Sequence, residues 1–215
     1  MKERKHIGKR VSRVDGIPKA SGKAKYPSDL NPPGLLQTAM LTCPHGHARV
    51  KSVDVSAAKD MKGVTAVRVI SGPGTEIQWA GTEVAVVAAE NEYIARDAVR
   101  AIKVEYEVLP HVVREENLAK VGNRARPAGE QITGDPEAAF KTADVVSEGQ
   151  YSVPVLTHCC LEPHGQVIAW QGDQLKFWPS TQGVSTVGGD LAQQLKIPVS
   201  SVHVRMEYMG GGFDS

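Results

Sequence analysis

Thr157-His158-Cys159-Cys160-Leu161-Glu162-Pro163-His164-Gly165 opens the last third of this chain. Phe177-Trp178-Pro179-Ser180-Thr181-Gln182 lies within it, and Met209-Gly210-Gly211-Gly212-Phe213-Asp214-Ser215 ends it. The second and third stretches run from an apolar strand into a loop, and two such loops are placed to frame one pocket. Val167 to Trp170 and Leu175 to Trp178 read as a hairpin turning at Gln171-Gly172-Asp173. Val184 to Leu195 reads as a helix despite Gly188 and Gly189, with Pro198 just past its end. Val202 to Tyr208 reads as a final strand. The glycine-rich turn reaches the last residue and reads as a motif interrupted part-way.

Upstream, Ala143 to Val153 is predicted as a long strand and a helix is predicted from Pro136, a residue suited to a first helical position. Residues 121–135 lack periodicity and carry Gly and Pro, as a linker does. Before them lies an α/β pattern. Gly34 to Leu41, Val50 to Val55, Val64 to Ile70 and Val104 to Leu109 read as strands. Val84 to Ala89 is a continuous apolar run, the mark of a strand buried on both faces. Ser56 is expected to cap a short helix closed by Gly63, and Asn91 a longer one. In the latter, Ile94, Ala98, Ala101 and Ile102 share one face. The basic start, Lys2, Arg4, Lys5, Lys9 and Arg10, reads as a solvated N-terminal arm rather than a binding patch. Residues 1–33 are rich in Lys, Arg, Gly and Pro, with Arg13 to Gly16 and Ala20 to Tyr26 as extended segments joined by turns. The expected organisation is a domain over 1–120 with its arm, a linker over 121–135, and a second domain over 136–215.

The chain has 215 residues, 41% hydrophobic and 23% charged, enough to bury a core. Its formal net charge of +1 offers no global case for nucleic acid or an anionic membrane. No apolar run is long enough to span a bilayer, and the first residues lack the apolar core of a secretory signal. Three cysteines, Cys159 and Cys160 adjacent, make no disulfide framework. A reducing cytoplasm is therefore the expected location, with periplasmic residence requiring export on a partner.

Several residues invite chemistry. Gln182 lies between a strand and a helix start, where backbone N–H groups attract anionic oxygen. Its amide offers a donor and an acceptor in one plane, suited to a polar oxygen on a cofactor. The competing reading makes Ser180 or Thr181 the helix cap and leaves Gln182 merely exposed. Gly210 to Gly212 permit close approach to a ligand, with Phe213 walling a pocket for a planar substrate, or they form an ordinary glycine-rich turn. His158, Cys159, Cys160 and His164 resemble zinc ligands superficially. Adjacent cysteines do not readily reach one tetrahedral ion, so no metal site is expected there. Glu162 reads as a structural acceptor in the absence of a partner for acid–base work. His45 and His47 flank Gly46 in a loop where hydrogen bonding outweighs metal binding as an expectation. Neither a nucleophile elbow nor a phosphate-binding loop with its lysine is present.

The joint order of these pieces resembles the molybdenum hydroxylases, the xanthine dehydrogenase and aldehyde oxidase family, and within it the N-terminal part of the molybdopterin-binding large subunit. Arg13 to Gly16, Gly22 to Tyr26, Pro44 to Arg49 and Val84 to Leu109 resemble its α/β hammerhead domain. His158 to Gly165, Ser180 to Gln182 and Met209 to Phe213 resemble the start of its molybdenum-binding region. The resemblance implies an α+β fold: an α/β hammerhead domain followed by the first part of a mixed α/β cofactor-binding domain. It implies that Gln182 contacts an oxo ligand of molybdenum and that Gly211, Gly212 and Phe213 form the loop beside the metal, the phenylalanine orienting the substrate ring. It implies molybdopterin, as the cytosine dinucleotide, and hydroxylation of an aldehyde or aromatic N-heterocycle with oxygen from water. Electrons would leave through [2Fe-2S] clusters on a small subunit and on to an FAD subunit.

Asp214 departs from the family's usual glycine, and the family's catalytic glutamate and most pterin-binding loops lie beyond these residues. No catalytic residue is therefore assigned within this chain. The expectation is a portion of the large subunit that packs against the remainder and is inactive alone. A stand-alone, non-catalytic binding or assembly module is the rival expectation.

Overall fold

The computed structural model describes residues 4–114, 120–122, 129–154 and 156–213. The architecture is α+β, with three three-stranded sheets and interspersed helices. The chain divides into two compact units, one comprising residues 33–149 and the other residues 1–32 together with 150–215. The arm clusters with the C-terminal third.

In the first unit, the apolar run becomes β5 (Glu83–Ala89), the middle strand of a sheet whose edges are β1 (Gln37–Thr42) and β3 (Val64–Val69), both antiparallel to it. Val84, Ala85, Val87 and Ala89 are fully buried, as a two-sided strand requires. Each such valine contributes roughly 1.5–3 kcal/mol relative to exposure. A second sheet places β2 (Ala48–Asp54) between β4 (Glu76–Ile77) and β6 (Lys103–Val108). Its core is Cys43, Ala48, Val50, Ile77 and Val84.

The helix α3 (Glu92–Ala101) begins as expected, with the Asn91 side chain accepting from the Ile94 N–H at 3.0 Å. It buries Ala95, and packs Ala98 and the following Ile102 with Ala85 and Val87 in one core cluster. The short helix α2 (Ser56–Lys59) is started differently from the expectation. Ser56 lies inside it, and Asp54 accepts from both the Ser56 N–H (3.0 Å) and hydroxyl (2.6 Å). A carboxylate two residues upstream outcompetes the serine's own hydroxyl as the acceptor.

Just before β2, His47 turns both ring nitrogens towards acceptor oxygens in a compact polar cluster. Its Nδ1 is 2.8 Å from the Pro110 carbonyl oxygen and its Nε2 is 2.9 Å from Glu76 Oε1, while Arg49 reaches Glu76 at 3.4 Å. This is the hydrogen-bonding role expected for the histidine loop. The His47 hydrogen bond, with help from Arg49, holds the Glu76 carboxyl below its ordinary range. A carboxyl depressed on folding stabilises the protein above its unfolded pKa, and that stability fades as pH falls through the folded value. Glu76→Gln is therefore expected to lower the thermal midpoint at pH 7, with the gap to wild type narrowing as pH falls through the acidic range. A gap that persists unchanged at pH 3 contradicts this.

α4 (Pro136–Thr142) starts at Pro136 as predicted, with Asp135 accepting from the Ala138 N–H at 3.0 Å. The strand predicted over Ala143 to Val153 is not formed. These residues are exposed and irregular. Alternation makes a strand only where a neighbouring strand accepts its ladder, and none pairs with this segment among the described residues. The linker positions 123–128, Lys2, Asp214 and Ser215 lie outside the described residues.

In the second unit, β7 (Gln166–Gln171) and β8 (Gln174–Pro179) form the predicted hairpin, turning at Gly172 with φ 62°. α5 (Val184–Leu195) then crosses to β9 (Val202–Val204), which pairs parallel to β8. Gly188 is what lets the helix lie close, since a Cβ there would come 2.7 Å from Val204 Cγ2. Leu175 and Phe177 on β8 are buried. The predicted final strand is shorter than Val202 to Tyr208. In the arm, Gly16–Ala20 is a short helix, α1, where a turn joining two extended segments was expected.

Candidate functional site

β8 carries the chain outward to Pro179, and the Ser180 N–H donates to the Gly165 carbonyl at 2.8 Å. Neither Ser180 nor Thr181 caps α5. The N-cap position is Gly183, whose N–H is taken by Thr181 Oγ1 at 3.0 Å. The Ser180 hydroxyl is buried and lacks a hydrogen-bond partner among the described residues. Gln182 is exposed at the loop tip.

The glycine-rich loop after β9 comes back to this tip. A Cβ built on Gly212 would stand 2.3 Å from both Cγ and Cδ of Gln182, so the glutamine side chain occupies the space a side chain at 212 would need. Gly211 has φ +126°, a conformation that L side chains rarely adopt, and its missing Cβ would stand 3.1 Å from the Phe213 ring and 3.5 Å from Cys160 Cβ. The Cys160 thiol donates to the Gly212 carbonyl at 3.6 Å. Phe213 is 66% exposed and sits at φ 55°. Cys159 on the facing segment sits at φ 47°. Left-handed backbone in non-glycine residues costs on the order of 1 kcal/mol each and is concentrated at functional loops.

The structure thus brings Gln182, Gly211, Gly212 and Phe213 into one cluster with Cys160. Two further residues join them: Glu162, read from the sequence as a structural acceptor, and Lys19, which the sequence did not single out. Glu162, only 6% exposed, accepts the Gly210 N–H through Oε2 at 2.7 Å. Lys19 of the arm donates to the Met209 carbonyl at 2.8 Å. The signal for Glu162 was its expected role as an acceptor; nothing in the local sequence singles out Lys19, which stands 190 residues away.

An open cleft of about 640 Å³ borders the loop and is lined by Arg13, Lys19, Tyr26, Glu162, Met209 and Gly211. A second, of about 490 Å³, is lined by Tyr26, Trp178, Met206 and Tyr208, with the two tyrosine rings 6.3 Å apart. Gln182, Gly212 and Phe213 line neither cleft; Gln182 and Phe213 are exposed, and Gly212 is buried beneath the glutamine side chain. Among the described residues no group of three or more His, Cys, Asp or Glu is placed to hold a metal ion. Cys159 is exposed and Cys160 is turned to Gly212. No helix among the described residues is long and apolar enough to cross a membrane.

The donors present fit a cofactor that brings its own metal ligands. Gln182 offers an amide with no hydrogen-bond partner among the described residues, seated on a loop stripped of Cβ atoms where a large polar group can approach backbone.

Residues 114–214 match the molybdopterin cofactor-binding domain family. The chain is 31% identical to the nicotinate dehydrogenase large molybdopterin subunit of Eubacterium barkeri, over 96% of this chain and 55% of that protein. It is 28% identical to the aldehyde oxidoreductase molybdenum-binding subunit of Escherichia coli, over 97% of this chain and 31% of that one. Among solved structures, quinoline 2-oxidoreductase from Pseudomonas putida 86 superposes with a TM-score of 0.82 at 30% identity, covering 98% of this chain and 31% of that one. The aldehyde oxidoreductase of Desulfovibrio gigas superposes with a TM-score of 0.75 at 25% identity, over 94% and 26%. The chain therefore spans about half the length of these relatives or less. In sequence and fold the chain is similar to part of the molybdopterin-binding large subunits of the molybdenum hydroxylases, the xanthine dehydrogenase and aldehyde oxidase family, and its residues 114–214 carry the match to their molybdopterin cofactor-binding domain.

Proposed function

We propose that this chain supplies one wall of a molybdenum-cofactor active site in a hydroxylase large subunit. The observation that carries the reading is the seating of the Gln182 amide on Gly212, beside an exposed Phe213. Bound there, the molybdopterin cofactor supplies the two-electron oxidation that accompanies hydroxylation with water-derived oxygen. The residues of this chain bind and orient. The Gln182 amide N–H donates to a polar oxygen of the bound group, preset by the loop rather than reorganised on binding. The backbone of Gly211 and Gly212 allows close approach, and the Phe213 ring offers a face to a planar substrate. No residue of the cluster is assigned as proton acceptor for the reacting carbon, so the chain alone is expected to be inactive.

The finer parts of the reading are the cytosine dinucleotide form of the cofactor, [2Fe-2S] clusters on a small subunit, an FAD subunit beyond them, and a cytoplasmic location. Aldehydes and aromatic N-heterocycles are the proposed substrates. The named relatives act on nicotinate, on aldehydes and on quinoline, which spans both classes. The proposed division is a hammerhead domain and a cofactor domain, and a family match that begins at residue 114 supports a boundary near the linker.

The test is metal analysis of the native assembly that contains this chain. Close to one molybdenum per copy is expected, with molybdopterin released on denaturation. A fully assembled, metal-free complex would overturn the reading and leave the binding-module alternative.

A further inference from the structure

Met209 O and Gly210 N belong to a single peptide group, the one through which the chain enters the glycine-rich loop. Its carbonyl receives the Lys19 ammonium at 2.8 Å, and its N–H is received by the Glu162 carboxylate at 2.7 Å. The two clamps both lie upstream of this peptide, 190 and 48 residues away, and grip its two opposite polar ends. A cation on the carbonyl and an anion on the N–H both align with the peptide dipole, and charge-assisted bonds are roughly twice as strong as neutral ones. The flanking geometry is tight. A Cβ on Gly210 would lie 2.4 Å from Glu162 Cβ, so the plane cannot slide past the carboxylate's stem.

Lys19 is itself held. Asp15 accepts from it at 2.8 Å, and Arg13 pairs with the same carboxylate at 2.9 Å. Hydrogen bonds from Arg13, then Lys19, hold the Asp15 carboxyl far below the ordinary range, so this anchor stays ionised at any working pH. Glu162 Oε1 is buried and has no hydrogen-bond partner among the described residues. A buried carboxylate with one idle oxygen is a poor device for stability alone. Its one bond goes to the loop.

We infer that Lys19 and Glu162 are positioning residues that orient the Met209–Gly210 peptide from its two ends and so preset the loop carrying Gly211, Gly212 and Phe213. The role rests on the reading of that loop as the cofactor wall. Neither residue needs to touch the bound group. The arm motif Arg13-Val14-Asp15, with Lys19 one helical turn beyond it, thereby becomes a remote part of the site.

The experiment is residue-resolved amide hydrogen exchange on the chain, with Lys19→Met, Lys19→Arg and Glu162→Gln compared with wild type. In Lys19→Met the Gly210 amide is expected to exchange at least tenfold faster and the Met209 carbonyl carbon resonance to move. Core amides of Leu175 and Phe177 should stay at wild-type rates, which shows the fold intact. Lys19→Arg restores the ammonium's role and is expected to remain within threefold of wild type. Glu162→Gln keeps an acceptor oxygen but removes the charge, and is expected to raise Gly210 amide exchange severalfold, giving a second variant if Lys19→Met perturbs the core. An unchanged Gly210 amide in Lys19→Met, or Lys19→Arg exchanging as fast as Lys19→Met, overturns the inference. Molybdenum content of the assembled protein is read separately: a metal-free wild type sinks the cofactor reading, whereas the exchange rates alone decide the clamp.

Discussion

Gly212→Ala is expected to lower turnover by the assembled enzyme roughly a hundredfold while barely altering the stability of the unit that contains it. The added methyl group would stand 2.3 Å from Gln182 Cγ and Cδ. Those atoms belong to a flexible, exposed side chain, so the clash is relieved by moving Gln182 rather than by distorting backbone. Gly212 is not in the left-handed region, so alanine is conformationally admissible there. The consequence is displacement of the amide that the proposed site relies on. Losing one preorganised donor of this kind costs about 10²–10³ in kcat. Gln182→Ala is the matching control and is expected to fall as far, and the double variant little further, because both remove the same interaction. Steady-state kinetics with an aldehyde or an N-heterocycle, read beside the thermal midpoint, make the check. Full turnover in Gly212→Ala would show that Gln182 has no such role.

Gly210→Ala, only two residues earlier, is expected to do the opposite. Its Cβ would lie 2.4 Å from Glu162 Cβ and 3.3 Å from Glu162 Cα. That is the root of a buried side chain, not its free end, and it cannot rotate away. Overpacking of this sort costs about 1–3 kcal/mol, and here the Glu162 hydrogen bond to the Gly210 N–H is strained as well. A loss of about 3 kcal/mol corresponds to a fall of roughly 6–12 °C in thermal midpoint for a chain of this size. Thermal unfolding followed by near-ultraviolet circular dichroism would show it. A midpoint within 1 °C of wild type would mean the loop and the Glu162 segment are not packed as described.

The contrast between neighbouring glycines shows how unevenly the site can be read from sequence. Local patterns located its pieces. The hairpin at Gly172, the helix after Gln182 and the cap at Asn91 each follow from chemistry within a few residues, and each is found where the pattern places it. The buried run at Val84 likewise announces a central strand without reference to anything distant. Where local signals compete, they mislead. Ser56 has the right residue type for a cap but loses the role to Asp54, and Ser180 and Thr181 lose theirs to Gly183. Ala143 to Val153 has strand-like composition and no neighbour to bond.

By itself the sequence determined the alternation of strands and helices, the apolar faces that form the cores, and the residue types able to meet a large polar cofactor. Those depend on periodicity and on side-chain chemistry, which are local properties. Only the tertiary structure decided that Gln182 lies against Gly212, that the arm clusters with the C-terminal third, and that one peptide is gripped between Lys19 and Glu162. Contacts across 48 or 190 residues leave no periodic trace, because their partners are selected by how sheets and loops close in space and not by spacing along the chain.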